Sequence, residues 1–222
     1  MINKWIIVEP NPIAKIFSKK PQSCLLVLPG RGIPGDAMEH FARHVELWKT
    51  LIVVLEPQHF EWYPAPNGPD DQEEAVAGQR ENLKELQEYL ARIERLWEIP
   101  REKTAIIGFS AGAVMAIQLC AYSNTRFAGA VCLAGAILEP NELPPAPNDT
   151  PILLQHNEDD DCFKWDERYL PMKEALGNKG YNVFHHERDF GGHNISLKEA
   201  RLTQYFLASK LGYSEGEEGL FQ

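Results

Sequence analysis

The stretch TAIIGFSAGAVMAIQLCA, residues 104–121, sets one serine between glycines where a β-branched run gives way to an apolar helix pattern. GFSAG, residues 108–112, fits G-x-S-x-G, a sharp strand–turn–helix that exposes a strained serine while its glycines relieve crowding. The plainer reading is a serine that caps the following helix. The apolar flanks favour a nucleophile, Ser110. A hydroxyl attacks well only when a base takes its proton. On such an elbow the acid and the base follow the serine in chain order, which removes His40, His44 and His59. His156 ends a strand pattern, and His185 and His186 lie within one. His193, in DFGGHNIS, sits in a glycine-flanked turn before the last helix pattern and is the expected base. The acid, which holds the imidazole tautomer, is expected in QHNEDDDCF. That segment offers Glu158, Asp159, Asp160 and Asp161, and side-chain chemistry alone does not choose among them. The run makes a poor metal site, because neighbouring side chains on an extended loop diverge and EF-hand spacing is missing. Two backbone N–H groups are candidates to receive an oxyanion. Ala111 opens a helix, where unsatisfied donors cluster. Arg31 lies in LPGRGIPGD, where Gly30 and Gly32 let the backbone bend close to a ligand. The chemistry these residues can do together is acyl transfer through a serine.

The elements that must position them alternate. Short Val-, Ile- and Leu-rich runs at 24–30, 51–57, 104–109, 127–136 and 151–157 read as strands buried on both faces. The N-terminal segment reads as a first strand, and 181–189 alternates like an edge strand. Helix patterns fall at 36–49, 73–98, 111–122, 166–179 and 196–211. In the second, Leu83, Leu86, Leu90, Ile93 and Trp97 form one apolar stripe. Ser196 followed by Glu199 is a capping-box signature. This rhythm predicts an α/β fold with a mostly parallel sheet covered by helices on both faces.

The 222 residues suffice for one sizeable core, and a single domain over 1–222 is expected, with an acidic, mobile tail at about 214–222. A net charge of −10 with no basic cluster argues against nucleic acid and anionic membrane surfaces as partners. No apolar run is long enough to span a bilayer, and no export signal is evident, so stable membrane insertion is not expected. Cys24, Cys120, Cys132 and Cys162 lack metal-type spacing and read as reduced, cytoplasmic thiols.

LPGRG, EWYP, GFSAGA and the late GGH resemble, in order and over nearly the whole chain, the phospholipase/carboxylesterase family of α/β-hydrolases. That group includes acyl-protein thioesterases. The family's H-G-x-x-D-x-x-V pattern, laid on HNEDDDCF, puts the acid at Asp160, with Asp159 and Asp161 as alternatives. The chain departs from the family at Asn157 for glycine, Pro29 for histidine and Ala111 for glutamine. The resemblance implies an α/β-hydrolase fold and hydrolysis of a small acyl ester or thioester without metal or organic cofactor, with homodimer formation left open. Trp62 and Tyr63 of EWYP are expected to wall the substrate site. No long helical lid is evident between the strands, which favours short acyl groups. The rival readings are a dienelactone-hydrolase-like enzyme on the same scaffold and a catalytically silent binding protein. A histidine base predicts a kcat/KM that falls as pH drops through the ordinary imidazole range, about 6.5.

Overall fold

The computed structural model describes residues 2–9, 20–45, 47, 49–65 and 72–213. The expected acidic tail at 214–222 lies outside the described residues, as does the stretch 66–71 of the proline-rich loop. Seven strands form one sheet: β1 (Ile2–Val8), β2 (Ser23–Leu28), β3 (Thr50–Pro57), β4 (Thr104–Phe109), β5 (Gly129–Leu133), β6 (Pro151–Asn157) and β7 (Asn182–Arg188). Their spatial order is β1-β3-β2-β4-β5-β6-β7. Only β1 runs antiparallel to its neighbour, and the remaining pairs are parallel. Strands β2 to β6 are buried at every position, which is why their sequences are mostly apolar, with polar residues gathered at the strand ends. The edge strand β7 is half open to solvent, and its sequence alternates accordingly.

Five α-helices among the described residues cover the sheet: α1 (Gly35–Arg43), α2 (Gln72–Trp97), α3 (Ala111–Ala121), α4 (Leu170–Asn178) and α5 (Leu197–Leu211). Because side chains alternate along a strand, Leu26, Leu28, Val53 and Ile106 face one layer, with Leu86 and Leu90 of α2, α3 and Met172 of α4. Leu25, Val27, Val54 and Ile107 face the other, with Met38 and Phe41 of α1 and Leu207 of α5. The capping box at the start of α5 is present in full. Ser196 accepts from Lys198 N–H, and Glu199 reaches back to Ser196 N–H.

Three boundaries differ from expectation. Helix α1 stops at Arg43 rather than near residue 49, because Val45 and Leu47 turn inward to bury themselves ahead of β3. The 166–179 pattern opens as one π-helical turn, Trp165–Tyr169, before α4 begins. Pro171 has no N–H for an ordinary helical ladder, and the N–H groups of Arg168 and Tyr169 share Lys164 O. The 127–136 run is strand only through Leu133. Ala134 then adopts φ 47° and turns the chain past the elbow.

The parallel register aligns one edge. Leu28 pairs with Gly108, Phe109 with Leu133, Leu133 with Gln155, and Asn157 with Arg188. The loops that follow β2, β4, β6 and β7 therefore emerge together. Strand order reverses between β2 and β4, the place beyond the carboxyl ends where open α/β sheets bind ligands.

Candidate active site

The elbow is built by exclusion. A Cβ on Gly108 would run into Gly112 O, and one on Gly112 into Leu28 O. Only glycine lets the end of β4, the start of α3 and the end of β2 meet at backbone contact. Ser110 is held at φ 54°, ψ −120°, a conformation costly for any residue with a side chain. Its N–H donates to Leu133 O at 2.9 Å, and its carbonyl accepts from Ala113 N–H at 2.9 Å. The hydroxyl does not cap α3. It lies 2.9 Å from His193 Nε2 instead.

His193 Nδ1 is 2.9 Å from Asp160 Oδ2. Asp160 is buried, and its Oδ1 accepts from the N–H groups of Cys162 and Phe163, each at 2.9 Å. Burial opposes its ionisation, but the hydrogen bonds from His193, Phe163 and Cys162 outweigh that and hold its pKa below the usual carboxylate value. An ionised Asp160 keeps the proton on Nδ1 and leaves the Nε2 lone pair facing Ser110 Oγ.

The neighbouring carboxylates have separate places. Asp159 Oδ1 accepts from Gly192 N–H at 2.7 Å, and Asn157 Nδ2 donates to Gly192 O at 2.8 Å. The two clamp the turn that carries His193. Asn157, where the family pattern has glycine, thus holds the loop of His193. Asp161 approaches the Cys162 thiol, at 3.7 Å. Glu158 is exposed.

Several contributors carry no signal in the sequence. Phe109 stacks on the His193 ring at 5.3 Å, and Phe163 lies 5.8 Å from it, so two aromatics pack near the imidazole. His156, buried 3.9 Å from Asp160, donates from Nε2 to Phe163 O at 2.8 Å and stacks on Tyr169 at 4.3 Å. Desolvation lowers its pKa, despite the opposing pull of Asp160, and keeps it neutral. Aromatic neighbours at such positions look the same in a sequence whether they face a core or a site.

The loop after β2 lies against Ser110: a Cβ on Gly30 would sit 3.1 Å from Ser110 Cβ. The loop is tied down by Gly32 N–H to Phe60 O at 2.9 Å and Ile33 N–H to Gly30 O at 3.2 Å. Among the described residues, the N–H groups of Arg31 and Ala111 have no backbone acceptor. The Arg31 side chain is engaged elsewhere. Its Nη2 donates to Tyr63 O at 2.8 Å, its guanidinium lies 5.4 Å from the Tyr63 ring centre, and its Nε is 3.7 Å from Glu61.

Trp62 and Tyr63 do not wall an open site. Trp62 is fully buried and Tyr63 is 5% exposed, both within the core layer beneath the loop. Trp62 Nε1 donates to Pro29 O at 2.7 Å, and Trp62 O accepts from the Asn82 amide. The EWYP aromatics point inward because burying them removes large apolar area from water, and the indole N–H finds a carbonyl there. Trp62→Phe keeps most of that volume and leaves Pro29 O without its partner. The expected cost is about 1–3 kcal/mol of stability, with a several-fold fall in kcat and little change in KM. Thermal melting and steady-state kinetics of the purified variant check both.

Among the described residues no helix is long and apolar enough to cross a membrane. All four cysteines are unpaired, three of them buried, and Cys162 is exposed beside Asp160. A family model described as phospholipase/carboxylesterase matches residues 50–210. Among solved structures, the esterase PE8 superposes at TM-score 0.83 with 20% identity, covering 95% of this chain and 100% of that one. A phospholipase/carboxylesterase from Dyadobacter fermentans DSM 18053 follows at 0.76 and 19%, covering 93% and 97%. The Bacillus cereus carboxylesterase gives 0.73 and 19%, covering 93% and 94%. No curated protein gives a significant match to the sequence. At such identities the structural likeness speaks to the fold, an α/β-hydrolase.

Proposed function

From the premise that the chain belongs to the phospholipase/carboxylesterase family of hydrolases, we propose that it is a serine carboxylic-ester hydrolase working through an acyl-enzyme on Ser110. The observation that carries this reading is the imidazole of His193 bridging Ser110 Oγ and Asp160 Oδ2, each at 2.9 Å. Ser110 Oγ attacks the acyl carbon while His193 Nε2 takes its proton. The N–H groups of Arg31 and Ala111 receive the oxyanion as the tetrahedral intermediate forms. His193 then protonates the departing alcohol or thiol. Water, deprotonated by the same imidazole, attacks the acyl-enzyme and frees the acid and the serine. Asp160 stays ionised throughout and stabilises the imidazolium. No organic cofactor enters this sequence, and the substrate is a small acyl ester or thioester.

The scheme sets the pH dependence. Asp160, with its pKa held low, does not titrate where the imidazole does. The kcat/KM therefore falls through a single protonation as pH drops, with unit slope on a logarithmic plot. A profile flat from about pH 5 to 8 would count against His193 as the base.

A fluorophosphonate probe with mapping of the modified peptide tests the assignment directly. Labelling is expected at Ser110, absent in Ser110→Ala and weakened in His193→Ala. No labelling of the folded protein would favour a silent binding role instead. A panel of p-nitrophenyl esters with lengthening acyl chains then ranks the acyl group accepted. The four free thiols support a reducing compartment, the cytoplasm, as the place of work.

A further inference from the structure

Beside the triad, one donor atom from each of Asp160, Cys162 and His193 lies within 4.8 Å of the other two. A thiol, an imidazole and a carboxylate are a zinc donor set. We propose that these three side chains form a reversible inhibitory site for Zn²⁺, and that the ion silences the catalytic base when it binds. The proposal rests on the assignment of His193 as base.

The geometry asks for a modest contraction. A tetrahedral ion bonded at about 2.0–2.3 Å holds its ligand atoms roughly 3.3–3.8 Å apart. His193 Nδ1 and Asp160 Oδ2, 2.9 Å apart, must part by about 0.4 Å, while the Cys162 thiol must close by about 1 Å, which rotation of that exposed side chain supplies. Asp160 is prepared for the exchange. Its Oδ1 is occupied by two backbone N–H groups, while Oδ2 has the Nδ1 proton of His193 as its partner. An ion taking that proton's place moves the carboxylate and the imidazole only a few tenths of an ångström apart. Water fills the fourth position from the open side of Cys162. Asp161 beside the thiol and a net charge of −10 draw cations to this edge.

The protons balance simply. The Cys162 thiol loses its proton to solvent and binds as thiolate. The imidazole stays neutral: the ion binds Nδ1, and the displaced proton is carried by Nε2. Nε2–H then donates to Ser110 Oγ and has no lone pair with which to deprotonate it. Were Nε2 the ligand instead, its lone pair would be spent on the metal. Either way the serine loses its base, and a chelator restores it.

Binding is read without turnover by titrating the purified protein with Zn²⁺ in a calorimeter and with Co²⁺ in a spectrophotometer. One ion per chain and a thiolate-to-cobalt charge-transfer band are expected, with the band missing in Cys162→Ser. Inhibition is read against each protein's own metal-free rate in zinc-buffered solution. Cys162→Ser, which keeps the backbone N–H to Asp160, should need about ten-fold or more additional zinc for half-inhibition. Equal zinc sensitivity of the two proteins, or cobalt binding without the thiolate band, overturns the site. A protein that binds zinc through Cys162 yet hydrolyses no ester leaves the site standing and sinks the esterase reading. Turnover with no zinc binding does the reverse.

Discussion

Ser110→Ala lowers kcat/KM with activated esters by at least about 10⁴-fold, while the protein melts within about 1 kcal/mol of the parent. The first part follows from removing the atom proposed to form the covalent bond. What remains is binding and the two N–H groups on the oxyanion side, which on comparable sites leave some acceleration over water. The second part follows from where the hydroxyl sits. Its hydrogen bond goes to His193, and it does not cap α3. Alanine meets the same φ of 54°, so the strain held by Gly108, Gly112 and the β2–β4 contact is unchanged. Steady-state kinetics and a thermal melt on the same preparation separate the two. A variant that keeps more than about a tenth of the activity removes Ser110 from the chemistry; one that fails to fold would instead mean that the elbow depends on the hydroxyl.

The elbow was legible in the sequence because its cause is steric. Backbones that meet with no room for a Cβ leave glycine as their only trace, and Gly108 and Gly112 are that trace. The sheet was legible for a similar reason, since strands buried on both faces admit little but Val, Ile and Leu. His193 could be singled out by its glycine turn and its place before α5. The acid could not be chosen on chemistry, because Glu158, Asp159, Asp160 and Asp161 are equivalent as side chains. What separates them is backbone direction after β6, where Asp160 N–H folds back to Asn157 O at 3.2 Å and turns one carboxylate inward. Trp62 and Tyr63 failed differently. An aromatic in a loop reads the same whether it lines a site or anchors the loop, and here burial won. The clamp by Asn157 and Asp159 on Gly192 depends on tertiary contact between β6 and a loop more than 30 residues away, which no local pattern encodes.

That sorting of carboxylates makes the sharpest comparison available. Asp160→Asn is expected to cost about 10⁴-fold in kcat. The variant amide keeps its oxygen on the N–H groups of Cys162 and Phe163 and turns its NH₂ toward His193 Nδ1. Nδ1 must then accept, the imidazole proton moves to Nε2, and Ser110 Oγ faces a donor where it needs an acceptor. Asp159→Asn can keep its oxygen on Gly192 N–H, with a weaker uncharged acceptor, and should lose only a few-fold. Asp161→Asn touches neither His193 nor its turn and should leave kcat unchanged within about two-fold. Stability gives a second readout for Asp160. Because the folded-state pKa of Asp160 is held below its ordinary value, its ionised form stabilises the protein above the unfolded pKa, near 3.9, and loses that effect as pH falls through the folded one. Asp160→Asn should therefore melt below the parent at pH 7, and the gap should close as the pH is taken down toward 3. Equal losses of activity across the three variants would mean that the acid is shared by the run and not held by Asp160.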